Sequence, residues 1–224
     1  MQEWTQDHIR FLQDAAAYGT YHARLAELLL PYFPRRGHLC DAGCGLGDLT
    51  LALAPYFQEI TACDIAPAPL ETLRKRAPSH VHVVPGDIFT HPPRQPYDGM
   101  VFCLFGHGQQ AIQLAREQCR GPVAAVVRGE SHHFLSQIPR EKMGLSLPQL
   151  LREQGIPFLQ RPVALEYGQP LANLTDAKNY ARLYQLPWEI MERQLQPIEH
   201  PQLSWYLPRM RRLWLVVWSS QSNQ

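Results

Sequence analysis

The stretch that most constrains the fold of this chain is a run of three glycines, Gly43, Gly45 and Gly47, which alternate with other residues directly after a short apolar segment. Glycine lacks a Cβ atom, so the backbone can turn sharply at these positions and a ligand can approach the main chain closely. Asp41 comes just before the turn, where a carboxylate would repel a pyrophosphate but suits a ligand with a cationic ammonium end. The pattern predicts a strand, a tight turn and a helix that hold a nucleotide-type ligand.

Acidic residues end the next two apolar runs. Asp64 lies 23 positions after Asp41, about the length of one strand–helix–strand unit. A carboxylate at the end of a strand can accept hydrogen bonds from both hydroxyls of a ribose. Asp87 ends a third apolar run, and a fourth predicted strand begins near Asp98. Alternating strands and helices of this kind predict a parallel sheet with right-handed crossovers.

The Gly-x-Gly-x-Gly spacing led by Asp41, with Asp64 and Asp87 following in order, resembles the motifs of class I S-adenosylmethionine-dependent methyltransferases over about residues 37–127. Dinucleotide dehydrogenases use Gly-x-Gly-x-x-Gly instead, and Asp41 and the third acid, Asp87, disfavour that alternative. The resemblance implies an α/β, three-layer Rossmann-like methyltransferase fold. Its seven-stranded sheet is mostly parallel, with an antiparallel last strand between strands five and six. The implied cofactor is S-adenosylmethionine, and the implied activity is methyl transfer.

The resemblance also assigns cofactor contacts, which gather at the ends of the predicted strands. Asp64 is expected to accept from the ribose, and an acid at position 87 from the adenine amino group. An aromatic residue at position 21 would fold over the methionine end of the cofactor. The full set of expected cofactor residues is Tyr21, Asp41, Gly43, Gly45, Asp64, Ile65, Asp87, Ile88 and Leu104.

The methyl acceptor has weaker signals in the sequence. His107 lies between two glycines after the fourth predicted strand, and imidazole titrates near neutral pH, so this residue is the predicted general base. The alternative is a loop histidine bonded to a backbone carbonyl. Phe105, His132, His133 and Tyr184 are the predicted substrate contacts, with ordinary packing as the alternative for Tyr184. No metal site is predicted, because neighbouring loop histidines rarely converge on one ion.

Composition bounds the remaining expectations. The 224 residues are expected to form a single methyltransferase domain (1–224), with an N-terminal helical cap (1–36) and a helical insert (168–208) that either covers the ligand edge or makes a homodimer contact. The net charge of +1 disfavours a nucleic-acid partner. No signal peptide or membrane-length apolar run is visible, so a cytoplasmic protein without a membrane partner is expected.

The predicted function is therefore an enzyme, an S-adenosylmethionine-dependent methyltransferase, that acts on a small molecule at an O, N, S or C atom. Two alternatives stay open. One is a methyltransferase that acts on a protein or RNA, and the other is a non-catalytic, cofactor-binding partner subunit. Amino-methyltransferases of DNA bases often carry Asn/Asp-Pro-Pro followed by an aromatic residue after strand four. This chain has Leu104-Phe105-Gly106 there, which disfavours a DNA base as the methyl acceptor.

Overall fold

The structure is a computed structural model that describes residues 4–90, 92–106, 108–128 and 145–221. The chain divides into two compact units, one formed by Met1–Arg24 with Ala164–Arg211 and the other by Leu25–Val163 with Arg212–Gln224. None of the helices in the described ranges is long and apolar enough to span a bilayer.

Helices and strands alternate along much of the chain in the described ranges. The helices are α1 (Gln6–Tyr18), α2 (Tyr21–Leu29), α3 (Asp48–Leu53), α4 (Pro67–Arg74), α5 (Gly108–Gln118), α6 (Leu147–Glu153), α7 (Leu174–Leu183) and α8 (Trp188–Glu192). The strands are β1 (His38–Ala42), β2 (Glu59–Asp64), β3 (Val81–Pro85), β4 (Gly99–Cys103), β5 (Pro122–Arg128), β6 (Phe158–Glu166), β7 (Gln169–Leu171), β8 (Gln196–Pro197), β9 (Trp205–Leu207) and β10 (Met210–Ser219).

The larger sheet has seven strands in the order β3-β2-β1-β4-β5-β10-β6. Strands β1 to β5 pair in parallel, whereas β10 runs antiparallel to β5. The apolar runs of β1, β2 and β4 are buried because helices cover such a sheet, as expected for parallel strands. The predicted fold, with an antiparallel last strand between strands five and six, is confirmed.

The strand order reverses between β1 and β4, and this point positions the site. Ala42 at the end of β1 is paired with Cys63 of β2 on one side and with Phe102 of β4 on the other. The carboxyl ends of the three strands therefore lie side by side at one edge. Open α/β sheets bind their ligands outside this edge, at the place where the order reverses.

The connection from β3 to β4 contains no helix in its described residues, 86–90 and 92–98, and it is rich in proline, which disfavours a helix. A cleft of about 500 Å³ opens over the sheet at this connection. Its walls come from the first three strands and from the proline-rich segment itself, and they include His38, Thr61, Ile88, Pro92 and Tyr97. The loop therefore leaves part of this sheet face uncovered.

The smaller unit has its own apolar core. Strands β7, β9 and β8 form a three-stranded antiparallel sheet. An ion pair of 2.6 Å between Arg10 of α1 and Asp176 of α7 joins two of its helices. The sequence predicts the two helices of the insert, but the three short strands are absent from that prediction. The buried residues of this core are Phe11, Leu171, Ala177, Tyr180, Ala181, Met191 and Leu207.

Candidate functional site

The glycine-rich loop between β1 and α3 is fastened to the end of β2. The backbone N–H groups of Gly43 and Cys44 donate to the carbonyl oxygen of Cys63 at 2.8 and 3.1 Å. The N–H of Gly45 donates to Oδ2 of Asp64 at 2.8 Å. These three N–H groups already donate hydrogen bonds within the protein. A ligand at this loop would therefore pack against the backbone surface and would not hydrogen-bond to these amides.

Gly43 and Phe105 lie against each other at the carboxyl edge of the sheet. Gly43 has a φ of +73°, and a Cβ atom placed on it would lie 2.2 Å from the ring of Phe105. Phe105 is half-buried, and its ring is parallel to that of Phe102 at a centroid distance of 6.4 Å. Only glycine fits this approach and this backbone conformation. The structure thus brings together a predicted cofactor residue and a predicted substrate residue.

Asp64 holds the loop and retains the capacity to accept further hydrogen bonds. Its Oδ2 accepts from Gly45 and its Oδ1 from the N–H of Ala66, both at 2.8 Å. Each carboxylate oxygen can accept a second donor, and the side chain is only partly buried. The next residue, Ile65, exposes about half of its surface (52%). This combination of a carboxylate and an apolar side chain suits a ribose with its attached base.

Asp87 follows β3 next to this position. The N–H of Gly86 donates to the backbone oxygen of Asp64 at 3.0 Å, which places the two acidic strand ends side by side. The Asp87 side chain is exposed, and its Oδ1 accepts from the N–H of Phe89 at 3.0 Å. Ile88 is buried, and its carbonyl oxygen accepts from the Gln118 side chain. Of these two predicted cofactor residues, Asp87 therefore offers an exposed hydrogen-bond acceptor, and Ile88 is an apolar side chain fixed in the core.

Asp41 is almost fully buried at the end of β1, and its two oxygens differ. The Thr50 hydroxyl, on α3, donates to Oδ2 at 2.5 Å. Oδ1 is buried and has no hydrogen-bond partner among the described residues. Burial raises the pKa of Asp41 to about 6; the Thr50 bond opposes this rise, and the charge of Asp64 adds to it. A buried oxygen without a partner fits a site that a polar ligand completes. Thr50 is absent from the sequence-based set of site residues.

The end of β4 is strained at Leu104. This residue has a φ of +55°, a left-handed conformation that costs about 1 kcal/mol or more for a residue with a Cβ atom. Its N–H donates to the carbonyl oxygen of Val126 on β5, which holds the turn in place. Its apolar side chain is 36% exposed. Leu104 therefore presents an apolar surface at the edge where the sequence predicts a cofactor contact.

The two glycines on either side of position 107 have different roles. Gly106 has a φ of +76° and open space around it, so it permits the turn after Phe105. A Cβ atom on Gly108 would instead lie 2.8–3.0 Å from Leu150 and Leu147, so this glycine allows α5 to pack against α6. His107, His132 and His133 lie outside the described residues, and their roles stay predictions.

Tyr21 and Tyr184 belong to the smaller unit. Tyr21 is buried with its ring 4.6 Å from that of Tyr167, and the Arg211 guanidinium lies over both rings. Tyr184 packs on Tyr180 at 4.5 Å between ring centroids, and burial raises its pKa to about 12. Their proposed contacts with cofactor and substrate stay predictions.

Comparison with known proteins gives matches of two kinds. Residues 39–121 match the family model of a methyltransferase domain. Over 79 residues the chain is 42% identical to an rRNA adenine N-6-methyltransferase of Streptomyces fradiae, a match that spans 33% of this chain and 24% of that protein. The chain thus spans about a quarter of the length of the curated relative that it matches.

The second kind is similarity of fold. A candidate methyltransferase structure from Bacillus halodurans has a TM-score of 0.57 and 12% identity, covering 88% of this chain and 99% of that one. Precorrin-6y C5,15-methyltransferase of Geobacter metallireducens has a TM-score of 0.51 and 9% identity, with 88% and 87% covered.

Proposed function

This chain carries a class I S-adenosylmethionine-dependent methyltransferase domain, and we propose that it transfers the methyl group to a small-molecule acceptor. The cofactor supplies an electrophilic methyl group on its sulfonium. The protein supplies orientation, because an in-line displacement needs the acceptor atom about 3–3.5 Å from the methyl carbon.

The described residues support a different role for each side chain in cofactor binding. Asp64 accepts from the ribose hydroxyls with the lone pairs that Gly45 and Ala66 leave unused. Asp87 accepts from the adenine amino group, and the neighbouring Ile88 is buried in the core. Ile65 and Leu104 supply exposed apolar surface for the base. Asp41 contributes a negative charge for the ammonium end.

One observation carries the choice of a small molecule, namely the surface that follows β4. Leu104 and Phe105 present an apolar and an aromatic side chain, where an enzyme that methylates a base amino group needs an amide or carboxylate acceptor. The net charge also favours a small molecule, because the chain has 21 basic and 20 acidic residues and so lacks the large basic excess that binds a phosphate backbone. His107, two residues after Phe105 in the sequence, is the proposed general base for an acceptor that must lose a proton.

The test uses S-adenosylmethionine with a radiolabelled methyl group, incubated with the protein and a cell extract separated into low-molecular-mass, RNA and protein fractions. We expect label in the low-molecular-mass fraction, and clearly less of it with the Asp64→Ala variant at a cofactor concentration below saturation. Label confined to RNA or protein would overturn the proposed acceptor class. Cofactor binding without label in any fraction would favour the non-catalytic subunit.

A further inference from the structure

Asp41, at the end of β1, and Thr50, on α3, form a buried hydrogen-bonded pair. The Thr50 side chain is fully buried, and its hydroxyl has Asp41 as its partner at 2.5 Å. An acidic side chain this buried favours its neutral form, because removal from water penalises the charge. A hydroxyl that donates to the carboxylate acts in the opposite direction, because it stabilises the charged form.

The other described groups near Asp41 do not stabilise its charge. Asp64, at the end of the neighbouring strand, is negative and raises the Asp41 pKa. The thiols of Cys40 on the same strand, Cys44 in the glycine loop and Cys63 on β2 carry no positive charge, and burial raises the pKa of each. Among the groups that the structure describes against Asp41, Thr50 is the one that favours the carboxylate.

We propose that Thr50 is a positioning residue, which holds the Asp41 carboxylate in its ionised form with the second oxygen free for the ammonium group of the cofactor. This inference rests on the proposed role of Asp41 in cofactor binding. It makes cofactor affinity dependent on pH in the mildly acidic range, because a protonated Asp41 offers no charge to the ammonium group. The pH at which half of this affinity is lost should therefore change when Thr50 is replaced.

Acid should weaken cofactor binding, because proton binding to Asp41 competes with binding of the ammonium group. If only the ionised form binds well, the apparent dissociation constant rises by the inverse of the ionised fraction. With Asp41 titrating at about 6, S-adenosylhomocysteine should bind about tenfold more weakly at pH 5 than at pH 7. 5′-Methylthioadenosine lacks the amino-acid end and should show no such dependence.

The first measurement needs no cofactor. Carboxyl ¹³C NMR of aspartate-labelled protein gives the titration midpoint of Asp41, identified by its loss in Asp41→Asn. We expect Thr50→Val to raise this midpoint by about one pH unit, the effect of one charge-assisted hydrogen bond. Thr50→Ser should restore the wild-type midpoint. Thr61→Val is the matched control, since Thr61 on β2 is also buried but its hydroxyl bonds to His38 at the start of β1 and not to Asp41.

The second measurement is calorimetry of S-adenosylhomocysteine binding between pH 5 and 8. The loss of affinity in acid should begin at higher pH in Thr50→Val than in the wild type or in Thr61→Val. An unchanged Asp41 midpoint in Thr50→Val would overturn the inference. If Thr50→Val does not fold, equal pH dependence for the two ligands in the wild type would overturn it.

Failure of the proposed Asp41 role has a different signature. In that case Asp41→Asn would bind S-adenosylhomocysteine as tightly as the wild type, although Thr50→Val still moves the Asp41 midpoint.

Discussion

Replacing Asp64 by alanine separates the two functions that the structure gives this carboxylate. The change removes two charge-assisted hydrogen bonds of 2.8 Å, from Gly45 and Ala66. Such bonds contribute about 1.5–3 kcal/mol each, but this side chain is only partly buried and water can replace part of the loss. We therefore expect a stability loss of about 2 kcal/mol, which lowers the melting temperature by roughly 4–8 °C.

The affinity for S-adenosylhomocysteine should fall further than stability alone explains, by at least about tenfold, since the ribose hydroxyls lose a charged acceptor. Calorimetry well below the melting temperature measures this loss on folded protein. Circular dichroism at the same temperature verifies the fold.

The matched control is Asp98→Ala. Asp98 also accepts a backbone N–H, from His38 at 2.9 Å, and it pairs with Arg120 at 2.7 Å, but it precedes β4 and lies at the opposite edge of the sheet. Its substitution should lower the melting temperature and leave cofactor affinity unchanged. An equal loss of affinity in both variants, or an unchanged affinity in Asp64→Ala, would refute the placement of the ribose at the end of β2.

Three further predictions test the glycine loop, the buried acid and the proposed base. Gly43→Ala should cost about 2–4 kcal/mol of unfolding free energy, because of its left-handed φ and the contact with Phe105, and Phe105→Ala should recover part of this in chemical denaturation. Folding raises the Asp41 pKa from 3.8 to about 6, so the ionised group destabilises the folded state above pH 6 by on the order of 3 kcal/mol. Asp41→Asn should therefore stabilise the protein at pH 7.5, with a gain that disappears below about pH 4; a gain independent of pH would contradict this. His107→Ala should lower methyl transfer by about 10²–10⁴-fold at unchanged S-adenosylhomocysteine affinity, and a rate within about threefold of wild type would exclude a base at this position.

The strand ends could be predicted because an acidic residue follows an apolar run at each of them. Asp41, Asp64 and Asp87 each follow an apolar run of strand length, and glycines follow the first of these runs. Parallel strands bring such ends to one edge, so residues far apart in sequence become neighbours without any knowledge of side-chain packing. The sheet order followed from the family resemblance.

Other features of the structure could not be predicted, because no sequence pattern marks them. Thr50 falls in a helical run of mostly apolar residues, and its bond to Asp41 depends on the exact path of the glycine loop between them. The strands β7, β8 and β9 have only two or three residues each, which is too short for an alternating pattern. Gly108 resembles a flexible loop glycine in sequence, yet its role is set by Leu147 and Leu150, about 40 residues further along the chain.

The place of β10 between β5 and β6 has a consequence for how this sheet is assembled. Its pairing with β5 joins residues 85 to 97 positions apart, from Leu213 with Arg128 to Ser219 with Pro122. Contacts this distant in sequence form slowly, since the loop entropy is lost before the pairing is gained. Until β10 pairs with them, β6 has no neighbour in the larger sheet and β5 is an open edge. Folding intermediates of this protein should therefore be prone to edge-to-edge association through β5, and pairing with β10 should remove that edge, leaving β6 as the outer strand of the finished sheet.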